Sequence, residues 1–380
     1  MGPAPVWIRT PAEAEALARE LRGAPAIALD TEADSLHHYP ERLCLVQVAE
    51  PGGRVFFLDT LELPDLGPIQ PLLADPTVRK VLHSGDNDVV HLKRRFALEL
   101  AGLWDTMLAA RFLGVRELGL ERLLQKYLDV PPVRSQQKTD WARRPLTPAQ
   151  EAYAAEDVRH LIALRERLLG DLRALGREGW LEEECAALAA LPVPERAADE
   201  DGHRRIRGAA RLSPRGLAVL QALHLQREAW ARAERRPPFK VLSPETLLAV
   251  AERLPRDRQA LAGVPGLSPR LLERYGPGLL AAVERGLAAP LSPPSRGARP
   301  PGRGPVSPAA RARAEAVRRW RAQAAEALGL DPGVLLPQRL IDLLALDPPA
   351  TLDRLAAVPG FRRWRAEAFG PAILAALRTP

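Results

Sequence analysis

The sequence predicts an α/β domain followed by two all-helical bundles. Three observations carry that reading. Short apolar runs alternate with helical patterns over residues 1–170. Beyond them the strand-like runs stop, and one Pro/Gly turn pattern occurs twice in the helical remainder. Alternation of this kind builds a sheet covered by helices, whereas a repeated turn pattern marks a duplicated module.

The runs AIALDTE, CLVQVAE and RVFFLDT are rich in Ile, Val, Leu or Phe and bounded by turn residues, so each predicts a strand. RKVLHS predicts a fourth, leading into a helix DNDVVHLKRRFA whose Val89, Leu92 and Phe96 share one face. Three closely spaced strands before the β–α alternation predict a mixed sheet flanked by helices. From Trp104 onward the domain reads as helical: DTMLAARFLG, GLERLLQKYLD and TPAQEAYAAEDVRHLIALRERLLG. Thr147-Pro148 opens the last of these, a cap followed by proline in the first turn.

The domain boundaries follow from composition. Residues 1–175 form the α/β domain, and 176–211 form a connecting segment whose LPVPERAADEDGHRRIRGAAR is polar and broken by Pro and Gly. Residues 212–288 form a first helical domain. Residues 289–308, APLSPPSRGARPPGRGPVSP, predict a flexible linker. Residues 309–380 form a second helical domain. Val264-Pro265-Gly266 matches Val358-Pro359-Gly360, and Gly276-Pro277 matches Gly370-Pro371, both at an offset of 94, so the two domains read as an internal duplication.

Composition narrows the function. A formal net charge of +7 over 380 residues favours a polyanionic partner. The 2 cysteines are too few for a disulfide framework or a Cys-based zinc site, and the 7 histidines fall in no metal-ligand spacing. No apolar run approaches the ~18 residues of a membrane span, and the N-terminus lacks the pattern of a secretory signal. The expectation is a soluble, cytoplasmic monomer with no membrane association.

The acids of the chain suit a divalent metal held by oxygen. In ALDTEADSL, Asp30 and Glu32 project from one face of a strand, with Thr31 turned the other way. Two acids so placed repel unless a cation lies between them; the plain alternative is a solvated strand end with Asp30 capping a turn. In EAYAAEDVRHL, Tyr153 and Asp157 are four apart on one helix face that Leu161 continues. An acid on such a core-facing stripe is rarely left without a partner. Glu156 and Arg159 lie off the stripe and suit solvent. In KVLHSGDNDVVHL, Ser84-Gly85 turns the chain, Asp86 fits the N-cap, and Asp88 sits in the first turn, able to point back over the strand ends. If Asp30, Glu32, Asp88 and Asp157 converge, they suit two divalent ions about 3.5–4 Å apart, the arrangement for phosphodiester hydrolysis.

These stretches, LDTEADSLHHYPERLCLVQ, KVLHSGDND and KTDWARRPLTPAQEAYAAEDVRHL, in that order, resemble the ribonuclease D family, within the tyrosine-bearing DEDD exonucleases. The resemblance implies a ribonuclease H-like fold for the first domain and a 3′→5′ exoribonuclease that releases nucleoside 5′-monophosphates. It implies Asp30, Glu32, Asp88 and Asp157 as ligands of two Mg²⁺ or Mn²⁺ ions, with Tyr153 positioning the attacking water. The helical domains resemble HRDC modules, which bind nucleic acid, and the implied substrates are precursor tRNA and other small structured RNAs. Ala33 follows Glu32 where many members carry Phe, which bears on how the terminal nucleotide is gripped. The alternatives are a DNA-directed exonuclease on the same site and an inactive RNA-binding protein on the same fold. A helicase is excluded, because the chain has no Gly-Lys dipeptide for a phosphate-cradling loop. In this modular picture, removing residues 289–380 weakens RNA binding but spares cleavage of a short oligonucleotide.

Overall fold

Six strands, β1 (Val6–Ile8), β2 (Ala26–Ala33), β3 (Leu43–Ala49), β4 (Val55–Leu58), β5 (Arg79–Leu82) and β6 (Leu103–Asp105), form one sheet in the order β1-β4-β3-β2-β5-β6. β3 and β4 pair antiparallel, while β1/β4, β2/β5 and β5/β6 pair parallel, so the sheet is mixed as the sequence predicts. β1 and β6 escape the sequence reading because each is only 3 residues long, too short to show a period of two. β6 even falls in the stretch expected to be helical. β2 lies inside the sheet between β3 and β5, and Ala26–Leu29 are all buried, as a strand covered on both faces requires. Asp30 and Glu32 therefore leave the middle of the sheet, not its rim.

This computed structural model describes residues 3–193, 201–290 and 307–378. Residues 291–306 of the expected linker, and 194–200 of the expected connecting segment, lie outside that set. Among the described residues no helix is long and apolar enough to cross a membrane. The chain divides into two compact units. One holds Leu43–Val193, the strands before Ala33 and the C-terminal helices; the other holds Ala33–Arg42 and the helices between residues 201 and 290.

Several expectations are corrected by packing. The helix expected from Thr147 is two helices, Pro148–Arg159 and Leu161–Ala174, which meet at His160, the C-cap of the first and the N-cap of the second. The first keeps its capping box, with Thr147 and Gln150 bonding each other's backbone. The connecting segment expected from residue 176 begins instead with a helix, Glu178–Ala189, whose Leu181 and Cys185 are buried in the same core as the sheet.

The duplication shows in every helix. Pro214–Glu234, Pro238–Val241, Pro244–Arg253, Arg258–Ala262 and Pro269–Ala288 answer to Pro308–Leu328, Pro332–Leu335, Gln338–Leu346, Leu352–Ala356 and Arg363–Arg378, each starting 94 residues later (308 − 214 = 94). The second copy is not a free module. Trp364 stacks on Trp180 with ring centroids 4.6 Å apart and meets Phe112 edge-on at 5.5 Å. Glu183 accepts the backbone N–H groups of Arg363 at 2.5 Å and Trp364 at 2.8 Å. Removing the second copy would bare this aromatic cluster, so cleavage is not expected to survive the deletion untouched.

Candidate active site

Asp30 and Glu32 come from β2, and Asp157 comes from the last turn of the Pro148–Arg159 helix. Their carboxylate oxygens lie within 4.8 Å of one another. Asp30 and Asp157 are partly exposed, whereas Glu32 is 9% exposed, so the group is set into the surface yet open on one side.

Asp88, from the first turn of the Asp86–Phe96 helix, is buried and stands outside that trio. Thr31 Oγ1 donates to Asp88 Oδ1 at 2.5 Å and lies 3.4 Å from His91 Nδ1. Thr31, expected only to turn away from Asp30 and Glu32, thus holds the fourth acid. Its signal in the sequence was a hydroxyl flanked by two acids at the end of a buried strand. Asp86 is exposed and is not the N-cap; Gly85 is, and its N–H donates to Asp105 Oδ2 at 2.8 Å. Asp105 also caps the following helix through Met107 and Leu108, so one buried acid fixes two turns. Nothing in the sequence reading singled it out.

The electrostatics follow from burial and crowding. Burial and then the charges of Asp88, Asp157 and Glu32 push Asp30 well above the usual carboxylate range. Burial, with Asp157 and Asp88, pushes Glu32 up to about 9. Asp88 and Asp157 rise to about 7, again chiefly by burial, with hydrogen bonds from Thr31 and Tyr153 respectively opposing the rise. Tyr153 is 6% exposed; burial and the negative charge of Asp157 raise its phenol, which stays protonated and donates to Asp157. Four carboxylates that cannot all ionise together, with no nitrogen or sulfur among them, form a donor set suited to a hard divalent cation. The residues fit such an ion.

The KTDWARRPLT segment braces this centre. Arg144 grips Asp59 with Nε at 2.5 Å and Nη2 at 2.7 Å, and donates to the carbonyls of Cys44 and Trp141, both at 2.8 Å. Trp141 is fully buried, and its ring lies 6.3 Å from that of Tyr153. Trp104 is core as well, and His83 bonds Thr106 Oγ1 at 2.9 Å, away from the acids.

The sequence pattern of the 3′-5′ exonuclease family matches residues 5–173, and that of the HRDC domain matches residues 216–283 and 310–377. Ribonuclease D of Pseudomonas paraeruginosa is 33% identical over 378 residues, spanning 98% of this chain and 97% of that protein. Ribonuclease D of Escherichia coli is 34% identical over 278 residues, 72% of each chain. The crystal structure of E. coli RNase D, described as an exoribonuclease involved in structured RNA processing, matches with a TM-score of 0.74 at 29% identity, covering 99% of both chains.

Proposed function

The chain belongs to the ribonuclease D family of 3′-5′ exoribonucleases, and we propose that it trims the 3′ ends of precursor tRNA and other small structured RNAs, releasing nucleoside 5′-monophosphates. Asp30, Glu32, Asp88 and Asp157 hold two divalent ions, Mg²⁺ or Mn²⁺. The observation that carries this reading is the meeting of Asp30, Glu32 and Asp157 within 4.8 Å. Bound cations supply charge neutralisation at the scissile phosphate and lower the pKa of water.

The protein's own part is positional. β2 delivers Asp30 and Glu32 from a strand that lies between β3 and β5, just beyond Ala26–Ala28, which pair with β5. Thr31 sets the rotamer of Asp88. Tyr153 commits its proton to Asp157, which leaves the phenol oxygen as an acceptor for an O–H of the attacking water. The helical bundles hold the folded body of the RNA while its single-stranded 3′ end is cleaved. Repeated HRDC matches and the surplus of basic residues support that division of labour.

One assay tests the proposal. End-labelled precursor tRNA, a DNA strand of matching sequence and an RNA blocked by a 3′-phosphate are each incubated with Mg²⁺, Mn²⁺ or EDTA. Mononucleotide release from the free RNA end, stopped by chelator, is the expected result. Undiminished digestion in excess EDTA would overturn it, and equal digestion of DNA would remove the assignment to RNA.

A further inference from the structure

The turn that leads into the Asp86–Phe96 helix is strained. Ser84 has φ +59°, in the left-handed region that a residue with a side chain keeps only when its surroundings hold it there. Gly85, next in line, has no room for a side chain, since a Cβ there would lie 2.8 Å from Leu82 Cδ2. Strain is thus stored just ahead of Asp88, the acid that this turn has to aim.

Asp105 and Thr106 grip the turn on both sides of Ser84. The sheet register explains their reach: Leu82 pairs with Asp105, so β6 ends level with the turn that follows β5. Thr106 Oγ1 donates to the Leu82 carbonyl at 3.0 Å, which uses its one proton, so His83 Nδ1–H donates to that same oxygen at 2.9 Å. Beyond Ser84, the Gly85 N–H donates to Asp105 Oδ2 at 2.8 Å. The other oxygen, Oδ1, accepts from the N–H groups of Met107 at 2.8 Å and Leu108 at 3.0 Å. The Asp105 N–H donates to Cys185 Sγ at 3.3 Å, so the Glu178–Ala189 helix backs the grip from behind. Asp105 is 1% exposed and Thr106 is fully buried, so solvent does not compete for these bonds.

We propose that Asp105 and Thr106 are positioning residues of the nuclease centre. They hold the turn from Leu82 to Gly85 in its left-handed form, and the turn holds Asp88 where it joins Asp30, Glu32 and Asp157 around the metal ions. Thr31 fixes the carboxylate of Asp88 from the strand side, whereas this clamp fixes the backbone that carries it. Neither residue has to touch metal or RNA, because the effect of both passes through Asp88. The assignment rests on the reading of Asp88 as a metal ligand and names what keeps it in place.

The test is Mn²⁺ binding to the full-length protein without RNA, followed by loss of the free-ion electron paramagnetic resonance signal. Asp105→Asn keeps the size of the side chain and one carbonyl oxygen, but its Nδ2 meets the Gly85 N–H donor to donor. It should weaken Mn²⁺ binding about tenfold, the scale for a residue that orients a ligand. Thr106→Val leaves every bond of Asp105 in place and should act in the same direction by a smaller factor. Added to Asp88→Asn, the Asp105→Asn change should alter Mn²⁺ binding no further. Glu184→Ala, a destabilising change at another joint, should bind Mn²⁺ as the parent does, which separates positioning from general loss of stability. Unchanged affinity in both Asp105→Asn and Thr106→Val overturns the assignment. So does a loss from Asp105→Asn that is equal with and without Asp88, or an equal loss in Glu184→Ala. A parent that binds no Mn²⁺ overturns the metal reading itself, so the two can fail separately.

Discussion

Thr31 Oγ1 donates to Asp88 Oδ1 across 2.5 Å, tying the strand that bears two of the acids to the helix that bears another. Thr31→Val preserves shape and deletes that bond. The expected result is a roughly tenfold fall in kcat and a higher Mg²⁺ requirement, with RNA binding unchanged, since a single neutral-to-charged hydrogen bond is worth about 1.5–3 kcal/mol. Thr31→Ser should recover most of the loss. Steady-state kinetics over a Mg²⁺ titration would decide it; an identical titration for the valine variant would remove Thr31 from the site.

Asp30→Asn should abolish hydrolysis while leaving RNA affinity in EDTA nearly intact. Asp88→Asn should be far more damaging than Asp86→Asn, because Asp88 is buried beside the trio and Asp86 is exposed. Single-turnover rates on a labelled oligonucleotide measure all three, and the reverse order for the two helix acids would show that the wrong one had been assigned.

The metal-free protein should lose stability as pH rises. Folded-state values near 7 for Asp88 and Asp157 and near 9 for Glu32 exceed the unfolded values of about 4. The native state therefore holds more protons than the unfolded chain between about pH 4 and 9, and stability declines across that window. Melting in EDTA at pH 5, 7 and 9 should show a falling Tm. Asp88→Asn should flatten the decline, and Mg²⁺ should raise Tm most at high pH. A Tm that climbs with pH in EDTA would contradict the crowding of these acids.

Glu184 accepts Arg365 Nη1 at 2.6 Å, and Arg365 is 4% exposed. Glu184→Ala strands that guanidinium in the interior and should cost about 3–5 kcal/mol in urea unfolding. Glu183→Ala removes the cap of the Arg363–Arg378 helix and should cost about 1 kcal/mol. Equal unfolding midpoints for both variants and the parent would mean that the C-terminal helices hold on by other contacts.

The strands with long apolar runs were legible, and so was the pairing of Asp30 with Glu32 and the face that carries Asp157, because two-residue spacing on a strand and four-residue spacing on a helix are local facts. What stayed hidden was contact at a distance. Thr31 meets Asp88 across 57 positions, Gly85 meets Asp105 across 20, and Arg144 meets Asp59 across 85. No local pattern names such partners. The docking of Trp364 on Trp180 was hidden for the same reason, and the duplication pointed the wrong way by suggesting two equivalent modules. At Gly329-Leu330 against Arg235-Arg236, and at Trp364 against Arg270, the sequence itself records that the copies had parted.

The cap that Glu183 places on Arg363 and Trp364 has a consequence for biosynthesis. The Arg363–Arg378 helix finds the acceptors for its opening turn on a segment made some 180 positions earlier. A product cut short before that helix would leave Phe112 and Trp180 uncovered, an apolar flag for chaperones and proteases. Synthesis through this helix is thereby checked by the fold itself.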